Sequence, residues 1–99
     1  MKFTIKIEPE AKLDIQDGID WYNDQQSGLG KNFHTSVKAH LKKLQINPFY
    51  QVRYNKVHCL PLKKYPYMIH FTIDKENQRV IVHAILNTSR NPKIWKDRK

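Results

Sequence analysis

The sequence predicts an α+β domain in which one N-terminal strand and two helices precede a run of antiparallel strands. Two observations predict it. In the first half of the chain, apolar residues recur at the spacing of three and four that is typical of helices. From residue 51 onward, the pattern changes to β-rich runs separated by short polar connections. Because 99 residues can build one core but not two, a single domain over residues 1–99 follows.

The first three elements are indicated by their apolar periodicity. Residues 1–7 alternate polar with apolar, which predicts a strand rather than a signal peptide. Proline and acid at residues 8–10 suit a helix N-terminus, and the helix that follows should end near residues 27–28. A second helix of similar length should end at Asn47-Pro48, so the two helices form an antiparallel hairpin. The predicted apolar stripes are Ala11, Ile15, Ile19 and Tyr22 in the first helix and Phe33, Val37, Leu41 and Leu44 in the second.

The second half of the chain predicts a three-stranded antiparallel meander over residues 57–62, 67–73 and 79–86. The last strand runs into a polar, basic tail, in which Arg90 follows a predicted turn. Pro92 suits the first turn of a short C-terminal helix that places Trp95 and Arg98 one turn apart. An arginine and an aromatic ring at the edge of a sheet are typical of binding surfaces, although Trp95 packed into the core is an equally open interpretation.

Charge is strongly segregated along the chain. The formal net charge is +9, from 18 Lys and Arg against 9 Asp and Glu. Most of the acids lie in residues 8–24, and residues 25–73 contain none. This distribution predicts one strongly positive side, which would attract nucleic acid, an anionic membrane or an acidic protein.

Few residues are candidates for catalysis or metal binding. The single cysteine, Cys59, excludes an internal disulfide and is expected in the core. His58, His70 and His83 lack the spacing of a metal site, and no hydrolase, glycosidase or phosphate-loop motif is present. We therefore expect no metal and no cofactor. The residues left to contact phosphates and bases, or an acidic protein segment, are mainly Arg53, His58, Lys63, Lys64, His83, Arg90, Trp95 and Arg98.

Several short motifs together resemble the RelE/ParE superfamily of type II toxins. They are Asp14-Ile15 with Trp21-Tyr22, Gly28-Leu29-Gly30 with Phe33, Asn47-Pro48, Arg53-Tyr54, Leu60-Pro61-Leu62 with Tyr65-Pro66-Tyr67, and Thr88-Ser89-Arg90-Asn91-Pro92 with Trp95 and Arg98. The resemblance covers nearly the whole chain in order. It implies the fold predicted above, with a helix hairpin on a curved antiparallel sheet.

The resemblance also implies a small protein that inhibits bacterial growth, is associated with plasmid stabilisation, and is neutralised by a cognate antitoxin that wraps around it. The complex would be a heterotetramer or a larger assembly. ParE-like members block DNA gyrase, whereas RelE-like members cut mRNA in the ribosome without a metal. Met68 follows Tyr67 where RelE-like enzymes usually carry a catalytic arginine, and Trp95 stands where their late tyrosine is expected.

The sequence therefore favours a ParE-like toxin that binds its target through Arg90, Trp95, Arg98, Arg53, Lys63 and Lys64. The alternative is a RelE-like endoribonuclease that uses Arg90, His83, His58 and Lys63 or Lys64. A third interpretation is a non-toxic basic module that binds nucleic acid. Because no segment approaches the length of a membrane span, we expect a cytoplasmic protein without a membrane partner.

Overall fold

The computed structural model describes residues 2–49, 52–54 and 56–88, and only the backbone of 52–54. Two helices and five strands form within this part of the chain. They are β1 (Thr4–Ile7), α1 (Pro9–Gln25), α2 (Leu29–Ile46), β2 (Val52–Tyr54), β3 (Val57–Pro61), β4 (Tyr67–Asp74) and β5 (Arg79–Asn87).

All described strands belong to one sheet with the order β1-β5-β4-β3-β2. Strands β2 to β5 follow one another as an antiparallel meander. Strand β1 instead pairs in parallel with the first half of β5, where Ile7 lies opposite Val82. A parallel pair needs a long crossover connection, and here the helix hairpin and the meander together provide it.

This architecture confirms the predicted α+β fold with its N-terminal strand, helix hairpin and antiparallel meander. One strand was not predicted: β2 has three residues, too few to show an alternating pattern. The predicted C-terminal helix lies outside the described residues.

The core lies between the helix hairpin and one face of the sheet. On α2, the predicted stripe residues Phe33, Val37 and Leu44 are fully buried, and Leu41 is half-buried. On α1, Ala11 is fully buried, whereas Ile15 and Ile19 of the same stripe lie at the margin of the core and are only partly buried. The fully enclosed residues of the core are Ala11, Phe33, Val37, Leu44, Ile69, Phe71, Val80 and Val82.

The two helices approach closely near their connection because Gly30, the second residue of α2, has no side chain. A Cβ atom added at Gly30 would lie 2.5 Å from the carbonyl oxygen of Ile19 on α1. The backbone N–H of Gly30 also donates a 2.8 Å hydrogen bond to Oδ1 of Asn23. The Gly28-Leu29-Gly30 motif therefore allows both the turn, where Gly28 has φ +96°, and the contact between the helices.

A bulge divides β5 at His83. Phe71 of β4 lies opposite Val82, but its neighbour His70 lies opposite Ala84, so His83 is the extra residue. Beyond this point β1 no longer covers the edge of β5. There the carboxylate of Asp14 on α1 accepts a 3.0 Å hydrogen bond from the backbone N–H of Ile85. Asp14, predicted to be off the apolar stripe, thus joins α1 to the sheet.

Replacing Gly30 with alanine should destabilise the fold. Alanine favours a helix by about 1 kcal/mol relative to glycine. The new methyl group would, however, clash with the main-chain carbonyl oxygen of Ile19, which cannot rotate away as a side chain can. We expect a net loss of about 1 to 3 kcal/mol in urea unfolding, as for other overpacked cores. Asn32→Ala, at an exposed position of the same helix, is the control and should be neutral or slightly stabilising. A Gly30→Ala variant as stable as Asn32→Ala would contradict the close packing.

Stability should depend on pH through Asp74 in the β4–β5 turn. Hydrogen bonds from Asn77, and next from Arg79, lower the pKa of the Asp74 carboxyl below its ordinary value. Because the pKa of Asp74 is lower in the folded than in the unfolded protein, Asp74 stabilises the fold at every pH above its unfolded pKa of about 3.9. This stabilisation is lost as the pH falls through the folded pKa. Asp74→Asn should therefore be less stable than the parent at pH 7, and the difference should vanish in strong acid. Glu76→Gln, exposed in the same turn, is the control; a constant difference for Asp74→Asn at all pH values would contradict the assignment.

Candidate functional site

The motif residues of the sequence assemble into an aromatic cluster of Tyr22, Phe33, Tyr65 and Tyr67. The ring of Tyr22 stacks on Phe33 at a centroid distance of 5.2 Å, and Tyr65 meets both rings edge-on at 5.3 and 5.4 Å. Tyr67 lies 5.0 Å from Phe33. Such pairs contribute about 0.5–1.5 kcal/mol each beyond the burial of area. The Tyr65-Pro66-Tyr67 motif therefore fastens the β3–β4 turn to the helix hairpin.

Within this cluster, Tyr22 is suited to packing and not to accepting a proton. Burial, followed by the neighbouring Tyr67 and Tyr65, raises the pKa of the Tyr22 hydroxyl. A raised tyrosine pKa keeps the hydroxyl protonated at neutral pH, so Tyr22 is a poor general base.

The β3–β4 turn presents Lys63 and Lys64 to solvent, and a buried histidine holds it. Both lysines are exposed, and Lys64 adopts a left-handed backbone with φ 70°. The backbone N–H of Lys63 donates to Nε2 of His40 at 3.2 Å, while Nδ1 of His40 lies 2.7 Å from the carbonyl oxygen of Ser36. Since a carbonyl only accepts, His40 is the neutral tautomer that carries its proton on Nδ1.

The same turn lies beside the start of the C-terminal tail. The backbone N–H of Thr88 donates a 2.7 Å hydrogen bond to the carbonyl oxygen of Pro66. In sequence, Lys64 precedes Pro66 by two residues and Arg90 follows Thr88 by two. The fold thus brings the turn of Lys63 and Lys64 next to the end of β5, which the basic tail follows in the sequence.

The candidate histidines have different surroundings. His58, half-buried on β3, stacks on the ring of Phe71 at 5.4 Å with the planes 16° apart. His83, at the β5 bulge, forms a 2.8 Å hydrogen bond through Nε2 with the hydroxyl of Thr72. Phe71 and Thr72 are consecutive on β4, so their side chains point to opposite faces of the sheet. His58 and His83 are therefore in two environments and not in one pair.

Cys59 and His70 form a polar contact that is buried in the sheet. Sγ of Cys59 lies 3.4 Å from Nδ1 of His70, and the two residues are 5% and 0% exposed. This agrees with the prediction that Cys59 is a core residue. Within residues 2–49, 52–54 and 56–88, no three His, Cys, Asp or Glu side chains are grouped so that they could hold a metal ion.

Met68 is enclosed where the nuclease pattern would place a cation. It lies on β4 between Pro61 of β3 and Leu86 of β5, and it is 7% exposed. A buried thioether among apolar neighbours carries no charge and donates no hydrogen bond.

The remaining site residues lie outside what the structure describes. Arg90, Trp95 and Arg98 belong to the undescribed residues 89–99, and for Arg53 only the backbone, within β2, is described. Sequence reasoning missed His40. The spacing of Phe33, Val37, His40 and Leu44 places His40 on the buried stripe of α2, and this was the available signal for it. Asp14 is part of the Asp14-Ile15 motif, but its hydrogen bond with Ile85 was not predicted, because the two residues are 71 positions apart.

Comparison with known proteins supports the fold. No protein-family model matches the sequence, and the search of curated proteins gave no match. Among solved structures, a chain of the chromosomal ParDE toxin–antitoxin system from P. aeruginosa aligns with 89% of this chain and 98% of its own, with a TM-score of 0.77 and 16% identity.

Two further structures align over most of both chains. The RelBE2 toxin–antitoxin complex from Mycobacterium tuberculosis covers 88% of this chain and 99% of its own chain, with a TM-score of 0.63 and 13% identity. The isolated E. coli RelE toxin covers 96% and 94%, with a TM-score of 0.66 and 12% identity. At these identities the similarity defines the fold, which is that of the RelE/ParE toxins. No helix among the described residues is long and apolar enough to cross a membrane.

Replacing His40 should loosen the β3–β4 turn. His40→Leu keeps the volume but leaves the N–H of Lys63 without its acceptor, which should cost about 1–3 kcal/mol. Faster amide hydrogen exchange at Lys63 should accompany the loss. His40→Gln retains a donor and an acceptor and should be milder, and His34→Leu on the same helix is the control. Equal effects of leucine and glutamine at position 40 would show that only packing matters there.

Proposed function

We propose that this chain is the toxin of a type II toxin–antitoxin system, that it inhibits bacterial growth, and that a cognate antitoxin neutralises it. The observation that carries the proposal is the fold, shared with chains of ParDE and RelBE systems over nearly their whole lengths. The motifs that suggested the resemblance also have roles in this fold. The glycines bring the helices together, and the Tyr65-Pro66-Tyr67 motif anchors the turn.

Between the two modes of action, we propose the ParE-like one, with DNA gyrase as the target. Metal-independent cleavage of RNA needs a cation or hydrogen-bond donor beside the phosphate as charge develops, and such groups are worth several kcal/mol. Position 68, where the resemblance places a catalytic arginine, holds a buried methionine. Loss of that arginine favours a toxin that binds and blocks its target over one that cuts RNA.

The proposed target surface combines the basic tail with the β3–β4 turn. Arg90, Trp95 and Arg98 would supply two cations and a ring, and Lys63 and Lys64 would add charge. The hydrogen bond between Thr88 and Pro66 supports this combination, because it holds the start of the tail at the turn. Arginine and tryptophan are also the residues most enriched in the parts of interfaces that carry binding energy.

The RelE-like endoribonuclease is the second candidate. The contact of His83 with the hydroxyl of Thr72, together with the exposed Lys63 and Lys64, favours it. A half-buried imidazole is a suitable acid or base for a 2′-hydroxyl, and the lysines would neutralise a phosphate. Arg90 would then supply the remaining charge.

Controlled expression in a bacterial host tests the proposal. We expect growth to stop, purified protein to inhibit supercoiling by gyrase, and mRNA to remain uncut in primer extension. Arg90→Ala/Trp95→Ala/Arg98→Ala should restore growth and relieve gyrase inhibition. The matched control is Lys12→Ala/Trp21→Ala/Lys31→Ala, which removes two cations and the other tryptophan from exposed helix positions. It should stay toxic.

Three outcomes would overturn parts of the proposal. Codon-phased mRNA cuts that disappear with Arg90→Ala would establish the nuclease instead of the ParE-like mode. Full toxicity of the tail variant would place the growth-inhibiting surface elsewhere. Normal growth at high expression of a folded protein would exclude a toxin and favour a plain nucleic-acid-binding module.

A further inference from the structure

A cavity of about 150 Å³ lies between α1 and the end of β5. Asp14, Asp17 and Trp21 line it from the helix, and their spacing of three and four residues places them on one helix face. Tyr67 and residues 85–87 line it from the sheet. The cavity therefore lies where β1 no longer pairs with β5 and α1 is the neighbour of this strand.

The helix side of this cavity is negatively charged, although the chain as a whole is strongly basic. Lys12 is the only cation of α1, whose acids are Glu10, Asp14, Asp17, Asp20 and Asp24. The carboxylate of Asp14 accepts the N–H of Ile85 at 3.0 Å, which holds this charge at the wall of the cavity. The carboxylate of Asp17 is exposed and has no hydrogen-bond or ion-pair partner within the described part of the chain. A cation is therefore favoured here.

An exposed aromatic ring in the same cavity points independently to a cation. Trp21 is 53% exposed, and its ring meets that of Tyr22 edge-on at a centroid distance of 4.9 Å. The face of an indole attracts cations more strongly than any other aromatic side chain does. A carboxylate and an accessible indole on one helix face therefore form a combination that is suited to a positively charged group.

The guanidinium group of arginine suits this wall better than other cations. It is planar, so it can stack on the indole while its N–H groups donate to a carboxylate, whereas the ammonium group of lysine is a compact point charge. The volume of about 150 Å³ is well below the roughly 300 Å³ at which small-molecule sites begin. The cavity therefore suits the end of one side chain and not a cofactor.

We propose that this cavity anchors one arginine side chain of a partner protein. The guanidinium group stacks on Trp21 and pairs with Asp17, and the charge of Asp14 adds to the attraction. The net charge of +9 opposes a polybasic partner, so the arginine stands among neutral or acidic residues of the partner. The inference goes beyond the proposed function and does not rest on it, because no residue of the cavity belongs to the proposed target surface.

A partner anchored in this cavity lies next to the β3–β4 turn. Tyr67 and Asn87 line the cavity, and the residues adjacent to them in sequence, Pro66 and Thr88, are joined by a 2.7 Å hydrogen bond. A second copy of this chain is a poorer source of the arginine, because two chains that each carry a net charge of +9 repel one another.

The test follows the indole N–H resonance of Trp21 in the ¹⁵N-labelled chain, assigned with the variant Trp95→Phe. The probe is the capped tripeptide glycine-arginine-glycine, titrated to millimolar concentrations because a single side chain supplies few contacts. We expect the indole resonance and the amide resonances of Asp17 and Asn87 to shift, with binding that weakens as salt increases. The same tripeptide with citrulline, which is neutral and nearly the same shape as arginine, should not bind. The lysine tripeptide should bind more weakly than the arginine one.

Two substitutions test the assigned contacts. Asp17→Asn should weaken binding of the arginine probe by about fivefold, the upper range for one exposed ion pair. Trp21→Leu, followed through the amide of Asn87, should weaken it by about as much, because it removes the ring face. The matched control is Asp24→Asn, the same change at an exposed position of α1 outside the cavity, and it should weaken binding by less than about twofold.

Several results would overturn the inference. Citrulline that binds as well as arginine, or equal weakening by Asp17→Asn and Asp24→Asn, would reject the site, and a lysine probe that binds equally well would reject the choice of a guanidinium group. A Trp21 resonance that moves in Arg90→Ala/Arg98→Ala without any probe would show that the chain's own tail supplies the arginine. A shift that depends on protein concentration alone would show that a second copy does. None of these results bears on growth inhibition, so failure here leaves the proposed function unchanged.

Discussion

The packing of Tyr22, Phe33, Tyr65 and Tyr67 is the interaction on which the rest of the structure depends. These rings join α1, α2 and the start of β4, which are distant along the chain, and Phe33 is fully buried among them. The contact is possible because Gly18 of α1 has no side chain: an added Cβ would clash with the ring of Phe33. The cluster also fixes the turn that presents Lys63 and Lys64, with His40 holding the turn from the helix side. Packing in the core thus determines where the exposed charges stand.

Asp14 of α1 has a structural role, in contrast to the exposed charged residues of the protein. Asp14 does not belong to a solvated acidic face, because its carboxylate accepts the N–H of Ile85 where the β5 bulge ends the pairing with β1. A carboxylate at this point covers an edge that would otherwise present a main-chain donor. Lys38 and Lys42 of α2 and Lys6 of β1, by contrast, are exposed to solvent.

The fold was largely predictable from the sequence because its elements are local. The apolar residues Phe33, Val37 and Leu44 recur at helical spacing within one segment of the sequence. The β-rich runs can likewise be recognised within single segments. The parallel pairing of β1 with β5 was not predictable, since the register depends on residues more than seventy positions apart. The same holds for the hydrogen bond between Asp14 and Ile85. Among the site residues, the sequence identified Lys63 and Lys64 by charge but could not show that His40 holds their turn, because that bond requires α2 to lie against the turn.

Strand β1 and the turn of Lys63 and Lys64 lie at different ends of β5, and this separation constrains any partner that would cover both. Strand β1 pairs with β5 only as far as Val82, whereas the basic tail follows Thr88. Six residues of extended strand span about 20 Å. A partner that contacts β1 alone would therefore leave the turn of Lys63 and Lys64 uncovered. If the proposed toxin is neutralised by covering this turn, the partner has to extend from β1, past Asp14 of α1, to the end of β5.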